Sequence, residues 1–93
     1  MGLRFSWDAR KAASNLRKHG IEFVEATTAF DDPLSITVSD PDHSVGEERY
    51  LLVGATARGR LVVVSHMDEG EEIRIISARD ATLQERKGYE EDR

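Results

Sequence analysis

The hydrophobic and polar positions at the start of the chain predict a strand that passes directly into a helix. Leu3, Phe5 and Trp7 alternate with polar residues, which is the period of a strand with one buried face. Asp8 follows at once, and its carboxylate can accept hydrogen bonds from the exposed amides of a first helical turn. We therefore predict a short N-terminal strand and a helix capped by Asp8.

Two helices are predicted before residue 34. In the first, residues 9–18, the apolar positions follow helical spacing, and Gly20 supplies the left-handed conformation at which helices commonly end. In the second, residues 23–30, one helical face carries Phe23, Ala26, Thr27 and Phe30 at positions i, i+3, i+4 and i+7. The sequence Asp-Asp-Pro at 31–33 ends this second helix.

The middle of the chain predicts a meander of antiparallel strands. Residues 34–39 alternate between apolar and polar side chains, and a loop follows at 40–47. Three further strands are predicted within residues 48–56, 60–67 and 71–77, separated by short turns. Four consecutive apolar residues at 61–64 indicate a central strand that is covered on both faces.

The C-terminal segment changes from the period of a strand to that of a helix after Ser77. Helical spacing continues to about residue 91, and Asp80 is the predicted cap, although Gly88 costs that helix about 1 kcal/mol relative to alanine. Together these elements predict one α+β domain over residues 1–93. Its antiparallel or mixed β-sheet is flanked by two N-terminal helices and one C-terminal helix.

Composition excludes several classes of protein. The 93 residues contain no cysteine, which rules out disulfides and thiolate metal sites. No apolar run reaches the roughly 20 residues needed to span a bilayer, and the N-terminus lacks the apolar segment of a secretory signal, so we expect a cytoplasmic protein without membrane association. The histidines and acids near 43–48 and 66–68 lack the spacing of metal motifs, and patterns for nucleotide cofactors or serine hydrolases are missing. We therefore predict neither a metal nor a cofactor.

Charge is segregated along the chain. The net charge of −5 argues against a general positive field that coats nucleic acid. Residues 1–20 nevertheless carry five lysines and arginines against one acid, whereas residues 21–48 carry eight acids and no lysine or arginine. Such segregation permits a local basic surface on an acidic molecule.

Three arginines near strand ends suggest a phosphate site. The guanidinium groups of Arg49, Arg74 and Arg79 are suited to phosphate, because their planar fork donates two parallel hydrogen bonds and keeps its charge. Such a cluster could stabilise the transition state of RNA cleavage without a metal, given a proton acceptor for the 2′-hydroxyl and a donor for the leaving oxygen. The available proton-handling side chains are Glu72, His66, His19 and Tyr89.

Each of these residues also has a structural interpretation. Arg74 stands between two isoleucines, so it could simply face water from a half-buried strand. Glu85 and Arg86 could brace the last helix, and His19 could donate to the last carbonyls of the first. Pattern alone therefore indicates a small α+β domain with affinity for phosphate.

The segment FSWDARKAASNLRKHGIEFVEATTAFDDP, residues 5–33, resembles the start of BrnT-type toxins. That family reads F-x-W-D-x-x-K-x-x-x-N-x-x-K-H-G, then an apolar helix, then F-x-D-P. The matching positions are Phe5, Trp7, Asp8, Lys11, Asn15, Lys18, His19, Gly20, Phe23, Ala26, Phe30, Asp32 and Pro33. The C-terminal half is similar to the same family at Arg49, Gly54, the strand LVVV, the segment RIISAR, Ala81, Glu85, Arg86 and Tyr89.

The resemblance implies a type II toxin, a small RelE-like endoribonuclease that cleaves RNA and arrests growth. It further implies a BrnA-type antitoxin with a ribbon-helix-helix region, a complex of two toxins and two antitoxins, and contact with operator DNA only through the antitoxin. In this superfamily the active surface lies on the sheet and the terminal helix. The resemblance thus favours Arg49, Arg74 and Arg79 as catalytic residues, followed by Glu72, His66 and Tyr89, with Lys11, Lys18, His19 and Arg86 as RNA-binding residues.

One departure from the family keeps an alternative open. The family's ribonucleases are usually more basic, and the segment HMDEGEE at 66–72 places four acids near the expected site. Those acids would weaken the attraction of RNA. The alternative is a catalytically degenerate toxin that acts only as the protein-binding half of a DNA-binding autorepressor complex, and a phosphate-binding module unrelated to toxicity is a third reading.

Overall fold

The helices and strands follow the predicted order closely. The computed structural model describes residues 2–40, 42 and 46–91. Its elements are β1 (Arg4–Trp7), α1 (Ala9–His19), α2 (Phe23–Thr27), a 3₁₀ turn (Thr28–Asp31), β2 (Ile36–Ser39), β3 (Tyr50–Ala55), β4 (Leu61–Glu69), β5 (Glu72–Asp80) and α3 (Leu83–Glu91). Among the described helices, none has the length and apolar character required to cross a membrane.

Both ends of α1 are formed by the residues that the sequence predicted. The Asp8 carboxylate accepts hydrogen bonds from the backbone amides of Arg10 and Lys11, at 2.8 and 3.1 Å. At the other end Gly20 adopts a left-handed conformation with φ of 67°, and its amide donates to the Leu16 carbonyl at 2.9 Å. These local hydrogen bonds satisfy backbone groups that a helix leaves without partners at its ends.

The second helix is shorter than predicted because two threonines alter its final turns. The hydroxyl of Thr27 donates to the Val24 carbonyl at 2.7 Å, and the hydroxyl of Thr28 donates to the Glu25 carbonyl at 2.6 Å. Threonine hydroxyls that bond back to the preceding turn compete with regular helical hydrogen bonding. The chain therefore tightens into a 3₁₀ turn after Thr27 instead of continuing as an α-helix.

The cap of the last helix was predicted at the wrong residue. β5 continues through Asp80, because its last residues pair with β4 at Val62 and Val63. The cap of α3 is Thr82, whose hydroxyl accepts from the Glu85 amide at 3.1 Å while the Glu85 carboxylate accepts from the Thr82 amide at 2.8 Å. This reciprocal pair is a capping box.

The strands form one mixed sheet in the order β1-β5-β4-β3-β2. Strands β2 to β5 make the predicted antiparallel meander, and β1 lies parallel to β5 at one edge. β4 is the central strand, and residues 61–64 are buried, as the apolar run indicated. Helices α1 and α2 cover one face, where Ile21, Phe23, Val62, Val64 and Ile75 form much of the core.

A β-bulge fixes which side chains of β5 face away from α1 and α2. His66 pairs with Ile75 and Ser65 pairs with Ser77, so Ile76 is an extra residue on β5. Because side chains alternate across a sheet, Ser65 and Ser77 lie on the face opposite the core helices, and Arg79 follows two residues later. Bulges of this kind redirect side chains and occur often beside active sites.

Two glycines should respond in opposite directions to replacement by alanine. A Cβ at Gly54 would lie 3.0 Å from the Ala29 carbonyl oxygen and 3.1 Å from the Ser35 Cβ, so Gly54→Ala should destabilise the fold by about 1–3 kcal/mol. Gly88 lies in α3 with open space around its α-carbon, so Gly88→Ala should stabilise it by about 0.5–1 kcal/mol. Urea unfolding of both variants tests this pair, and equal shifts of the same sign would contradict it.

Candidate active site

Two of the predicted arginines line one cavity on the sheet face opposite α1 and α2. The cavity has a volume of about 300 Å³. Its lining consists of Asp40, Arg49, Leu51, Ser65, Ile76, Ser77 and Arg79. The predicted catalytic residues Arg49 and Arg79, which are distant along the chain, are thus brought to one concave surface.

Strand register places the two arginines at opposite corners of the cavity. Leu51, Ser65 and Ser77 stand in one row across β3, β4 and β5. Arg49 precedes Leu51 by two residues, and Arg79 follows Ser77 by two, so they share the same face of the sheet. The hydroxyls of the two serines lie between them as further hydrogen-bonding groups.

Arg79 is held by a carboxylate from α3. Its Nη1 donates to Oε1 of Glu85 at 2.8 Å, and its Nη2 donates to Oε2 at 2.9 Å. The side chains are 39% and 28% exposed, so the pair is only partly screened by water. This hydrogen bonding lowers the pKa of Glu85 to about 2 and raises that of Arg79. Glu85 therefore stays ionised at neutral pH and is a poor proton acceptor there.

A second cavity joins the first across the edge of β5. It has a volume of about 180 Å³ and lies against α1. Its lining consists of Lys11, Ser14, Asn15, Lys18, His19, Ile76 and Ser77. Since both cavities share Ile76 and Ser77, the predicted RNA-binding residues Lys11, Lys18 and His19 form one continuous surface with Arg49 and Arg79.

Asn15 fixes the bulged part of β5 to α1. The pairing of β1 with β5 ends at Trp7. Further along β5, the Asn15 side chain supplies hydrogen bonds to the backbone: Oδ1 accepts from the Ala78 amide at 3.0 Å, and Nδ2 donates to the Ala78 carbonyl at 2.9 Å. Nδ2 also donates to the Ile21 carbonyl at 3.1 Å. This buried amide holds the strand segment between Ser77 and Arg79 in place.

Arg74 and Glu72 lie on the same sheet face as Arg79 but outside both cavities. Arg74 pairs with Met67 on β4 and with Ser6 on β1, towards the β4–β5 hairpin. Glu72 precedes Arg79 by seven residues, which is roughly 20 Å along a strand. The structure therefore does not bring these two predicted catalytic residues to the cavity.

The acids of residues 66–72 lie at the hairpin and not beside the cavity. Asp68 and Glu69 end β4, Glu72 begins β5, and Glu71 between them contacts Arg4 at 3.7 Å. The expectation that these four acids crowd the site is wrong, because β5 extends away from them before it reaches Ser77. Their electrostatic effect at the cavity is weakened by that distance and by salt.

His66 lies on the opposite face of the sheet from Arg49 and Arg79. Its ring is buried against Phe30 and Tyr50, with centroid distances of 4.9 and 5.8 Å, and its Nδ1 lies 3.1 Å from the Val64 carbonyl oxygen. Burial lowers the pKa of His66, although the Val64 carbonyl and Asp68 oppose this effect. The environment is that of a neutral core histidine.

The burial of His66 predicts how stability depends on pH. An unfolded histidine binds a proton below a pH of about 6.5, whereas folded His66 resists it, so stability should fall as the pH drops below 6.5. In thermal unfolding between pH 7.5 and 5, His66→Leu should flatten this dependence. His19→Gln, which removes an exposed histidine, is the control. Identical slopes in the wild type and His66→Leu would contradict the prediction.

The predicted residues on α3 are divided between its buried and exposed sides. Tyr89 is buried, and its hydroxyl donates to Oδ2 of Asp32 at 2.5 Å. This hydrogen bond connects the C-terminal part of α3 to the segment that precedes β2. Arg86 is exposed, one position after the Glu85 that contacts Arg79. Neither side chain lines either cavity.

Metal ligands are not clustered in the part of the chain that the structure describes. Among residues 2–40, 42 and 46–91, no group of three histidine, aspartate or glutamate side chains could hold an ion. His43, which we weighed with Glu47 and Glu48 as a metal site, lies outside the described residues.

Several residues that line or support the cavities were not predicted from the sequence. Ser65 and Ser77 interrupt otherwise apolar strand segments, VVVSHM and RIISAR, and that interruption was the available signal. Asn15 stands at an inward position of an otherwise alanine- and leucine-lined helix face, which also marks it as unusual. The contribution of Asp40 and Ile76 depends on the fold and had no local signal.

The chain is similar to known proteins both in sequence and in fold. The family model described as "Ribonuclease toxin, BrnT, of type II toxin-antitoxin system" matches residues 7–85. The 1.1 Å crystal structure of the Brucella abortus ribonuclease toxin BrnT matches with a TM-score of 0.64 and 21% sequence identity. That match covers 88% of this chain and 100% of the Brucella chain, and it supports a common α+β fold. Nothing among the curated proteins matches significantly in sequence.

Proposed function

Because the chain belongs to the BrnT family of ribonuclease toxins of type II toxin–antitoxin systems, we propose that it is an endoribonuclease that cleaves RNA by attack of a 2′-hydroxyl, without a metal ion. The observation that carries this proposal is the cavity lined by both Arg49 and Arg79. Strands β3 and β4 and most of β5 lie between these two residues along the chain. A concave surface that carries two guanidinium side chains suits the phosphate of a flexible strand.

The arginines provide the electrostatic part of the reaction. The 2′-oxygen loses its proton to a base and attacks the adjacent phosphorus, and the bond from phosphorus to the 5′-oxygen breaks to leave a cyclic phosphate and a protonated 5′-hydroxyl. The transition state carries additional negative charge on the phosphoryl oxygens. Fixed guanidinium groups stabilise that charge without having to reorganise when it develops. Arg49 and Arg79 bind the scissile phosphate in this proposal, and the hydroxyls of Ser65 and Ser77 supply additional hydrogen bonds.

The cavity beside α1 extends the substrate site. Lys11 and Lys18 are exposed cations next to the shared residues Ile76 and Ser77. We assign them to a neighbouring phosphate of the RNA, so that the strand crosses the bulge of β5. Phosphate contacts of this kind position a nucleic acid and make its affinity depend on salt.

His19 is the best placed of the predicted proton-handling groups. Of the four candidates, it alone lines a cavity that includes Ser77, whereas Glu72, His66 and Tyr89 lie elsewhere. Imidazole is the side chain that most readily exchanges protons near neutral pH. We therefore assign His19 to proton transfer with the substrate and assign His66 and Tyr89 structural roles.

An antitoxin partner follows from membership of a type II toxin–antitoxin family. We propose that this partner is a BrnA-type protein with a ribbon-helix-helix region, that two toxins and two antitoxins assemble, and that only the antitoxin contacts operator DNA. The twofold symmetry of DNA-binding modules of this kind supports the stoichiometry.

The proposed activity is tested by expressing the chain alone and by incubating the purified protein with RNA and a chelator. Growth arrest and RNA cleavage that persists in the chelator are the expected results, and co-expression of the antitoxin should relieve the arrest. Intact RNA with correctly folded protein would remove the enzymatic proposal. Cleavage that stops in the chelator and returns with a divalent ion would remove its metal-independent part.

A catalytically degenerate toxin is the second candidate. The observation that favours it is the bidentate pair between Arg79 and Glu85, which neutralises Arg79 on a chain with net charge −5. Such a protein would bind its antitoxin tightly and repress the operon but leave growth and RNA unaffected. Toxicity on induction therefore separates the two candidates.

A further inference from the structure

The hydrogen bonds of Arg79 leave one particular edge of its guanidinium group available. A guanidinium has five N–H donors: one on Nε and two on each Nη. Nη1 uses both of its hydrogens, one on Oε1 of Glu85 and one on the Asp80 carbonyl at 3.2 Å. Nη2 uses one, on Oε2 of Glu85. The Nε hydrogen and the second Nη2 hydrogen have no acceptor among the described residues.

The two remaining donors are parallel and lie on the same edge. Within the guanidinium plane, Nη2 lies on the edge toward which the Nε–H bond points. The Nε–H bond and one N–H bond of Nη2 therefore form the side-on fork of arginine. A fork of this geometry accepts two oxygens of one phosphate or carboxylate. Glu85 already occupies the end-on fork, which is formed by one hydrogen of Nη1 and one of Nη2. Arg79 is also one of the residues that line the cavity.

Glu85 is itself held by Thr82 as well as by Arg79. Oε1 accepts from the Thr82 amide at 2.8 Å as well as from Arg79, and the Glu85 amide donates to the Thr82 hydroxyl at 3.1 Å. One turn later on α3, Tyr89 fastens the helix to Asp32. The carboxylate thus belongs to a capping box on an anchored helix, and one of its three hydrogen bonds, from the Thr82 amide, does not involve Arg79.

We propose that Glu85 is a positioning residue: it grips the end-on fork of Arg79 and so presents the side-on fork, Nε–H and Nη2–H, to the scissile phosphate of RNA. The role of Glu85 is distinct from neutralisation, because an ion pair that merely cancelled charge would oppose RNA binding. This inference rests on the proposed ribonuclease function for its substrate but makes a separate claim about the donor geometry of Arg79.

Positioning and neutralisation predict opposite kinetic effects for Glu85→Gln. If Glu85 positions Arg79, the variant should lose about 10- to 100-fold in kcat, because a reacting group is misplaced, while its KM for RNA should rise severalfold at most, in line with weaker phosphate binding. If Glu85 only neutralises Arg79, kcat/KM should rise, and that result would overturn the proposal. An unchanged kcat would overturn it equally.

Thr82→Ala is the matched control for helix capping. It removes the hydroxyl that accepts from the Glu85 amide but leaves the carboxylate and its two hydrogen bonds to Arg79. Thr82→Ala should lose about as much α3 stability as Glu85→Gln does, measured by thermal unfolding. It should retain kcat within about threefold of the wild type. A loss of kcat in Thr82→Ala equal to that in Glu85→Gln would assign Glu85 to helix stability alone.

A phosphate titration separates this inference from the proposed function. With ¹⁵N-labelled protein, the Nε–Hε signal of Arg79 should shift as inorganic phosphate is added to the wild type, and Glu85→Gln should need severalfold more phosphate for the same shift. This readout does not depend on RNA cleavage, so it remains informative if the wild type is not a ribonuclease. Equal titrations in both proteins, or no shift in the wild type, would contradict the side-on fork.

Discussion

Replacing Arg79 by alanine should reduce kcat/KM for RNA cleavage by about 10²–10³-fold, because the transition state loses a fixed guanidinium donor pair. Arg79 lines the cavity together with Arg49 and reaches it from the strand that carries the bulge. The same change should abolish growth arrest on induction. The measurement is the rate of cleavage of a defined single-stranded RNA at fixed salt, alongside growth curves.

Two further variants show whether the effect of Arg79 belongs to its fork or only to its charge. Arg79→Lys keeps a positive charge but loses the planar fork, and it should recover less than a tenth of the lost rate. Arg58→Ala removes an exposed arginine from the turn before β4, outside both cavities, and should retain nearly full activity. Equal losses in Arg58→Ala and Arg79→Ala would mean that net charge, and not the cavity, controls cleavage.

Replacing Asn15 by alanine should destabilise the fold by about 3 kcal/mol, since three buried backbone groups would lose their partner at about 1 kcal/mol each. For a domain of this size, that loss corresponds to a decrease in Tm of roughly 12–24 °C. Asn15→Asp should be at least as damaging, because a carboxylate cannot donate to the carbonyls of Ile21 and Ala78. Thermal and urea unfolding measure both effects.

The control for Asn15 is Arg17→Ala on the same helix. Arg17 is exposed, and its replacement should change stability by less than about 0.5 kcal/mol. Below its lowered Tm, Asn15→Ala should also cleave RNA more slowly, because Asn15 holds the segment between Ser77 and Arg79. If the free energy of unfolding of Asn15→Ala lies within about 1 kcal/mol of the wild type, water or rearranged backbone replaces the Asn15 amide, and the prediction is wrong.

The family resemblance led to the correct fold, but the six predicted catalytic residues do not lie at one site: Arg49 and Arg79 line one cavity, and the other four do not line it. His66 illustrates the reason. In sequence it stands next to Ser65, yet adjacent residues of a strand face opposite sides of a sheet, so one lines the cavity and the other lies in the core. Arg74 and Arg79 flank the same strand segment, yet its length and bulge separate them.

The sequence by itself determined the elements whose stabilising contacts are local. Asp8 and Gly20 set the ends of α1 through hydrogen bonds that span two to four residues, and the alternation and apolar runs of β2 to β5 reflect burial that recurs with the period of the element. These signals are readable because each residue's partner lies within the same short segment.

Only the tertiary structure decided which polar groups meet. The extra residue Ile76 determines which face of the sheet carries the side chains of Ser77 and Arg79. Asn15 forms hydrogen bonds with Ala78, which is 63 positions away along the chain. Glu85 binds Arg79 from a helix whose cap is Thr82 and not Asp80. Strand register and helix docking are settled by many weak contacts summed over the whole core, and no single segment of the chain contains that information.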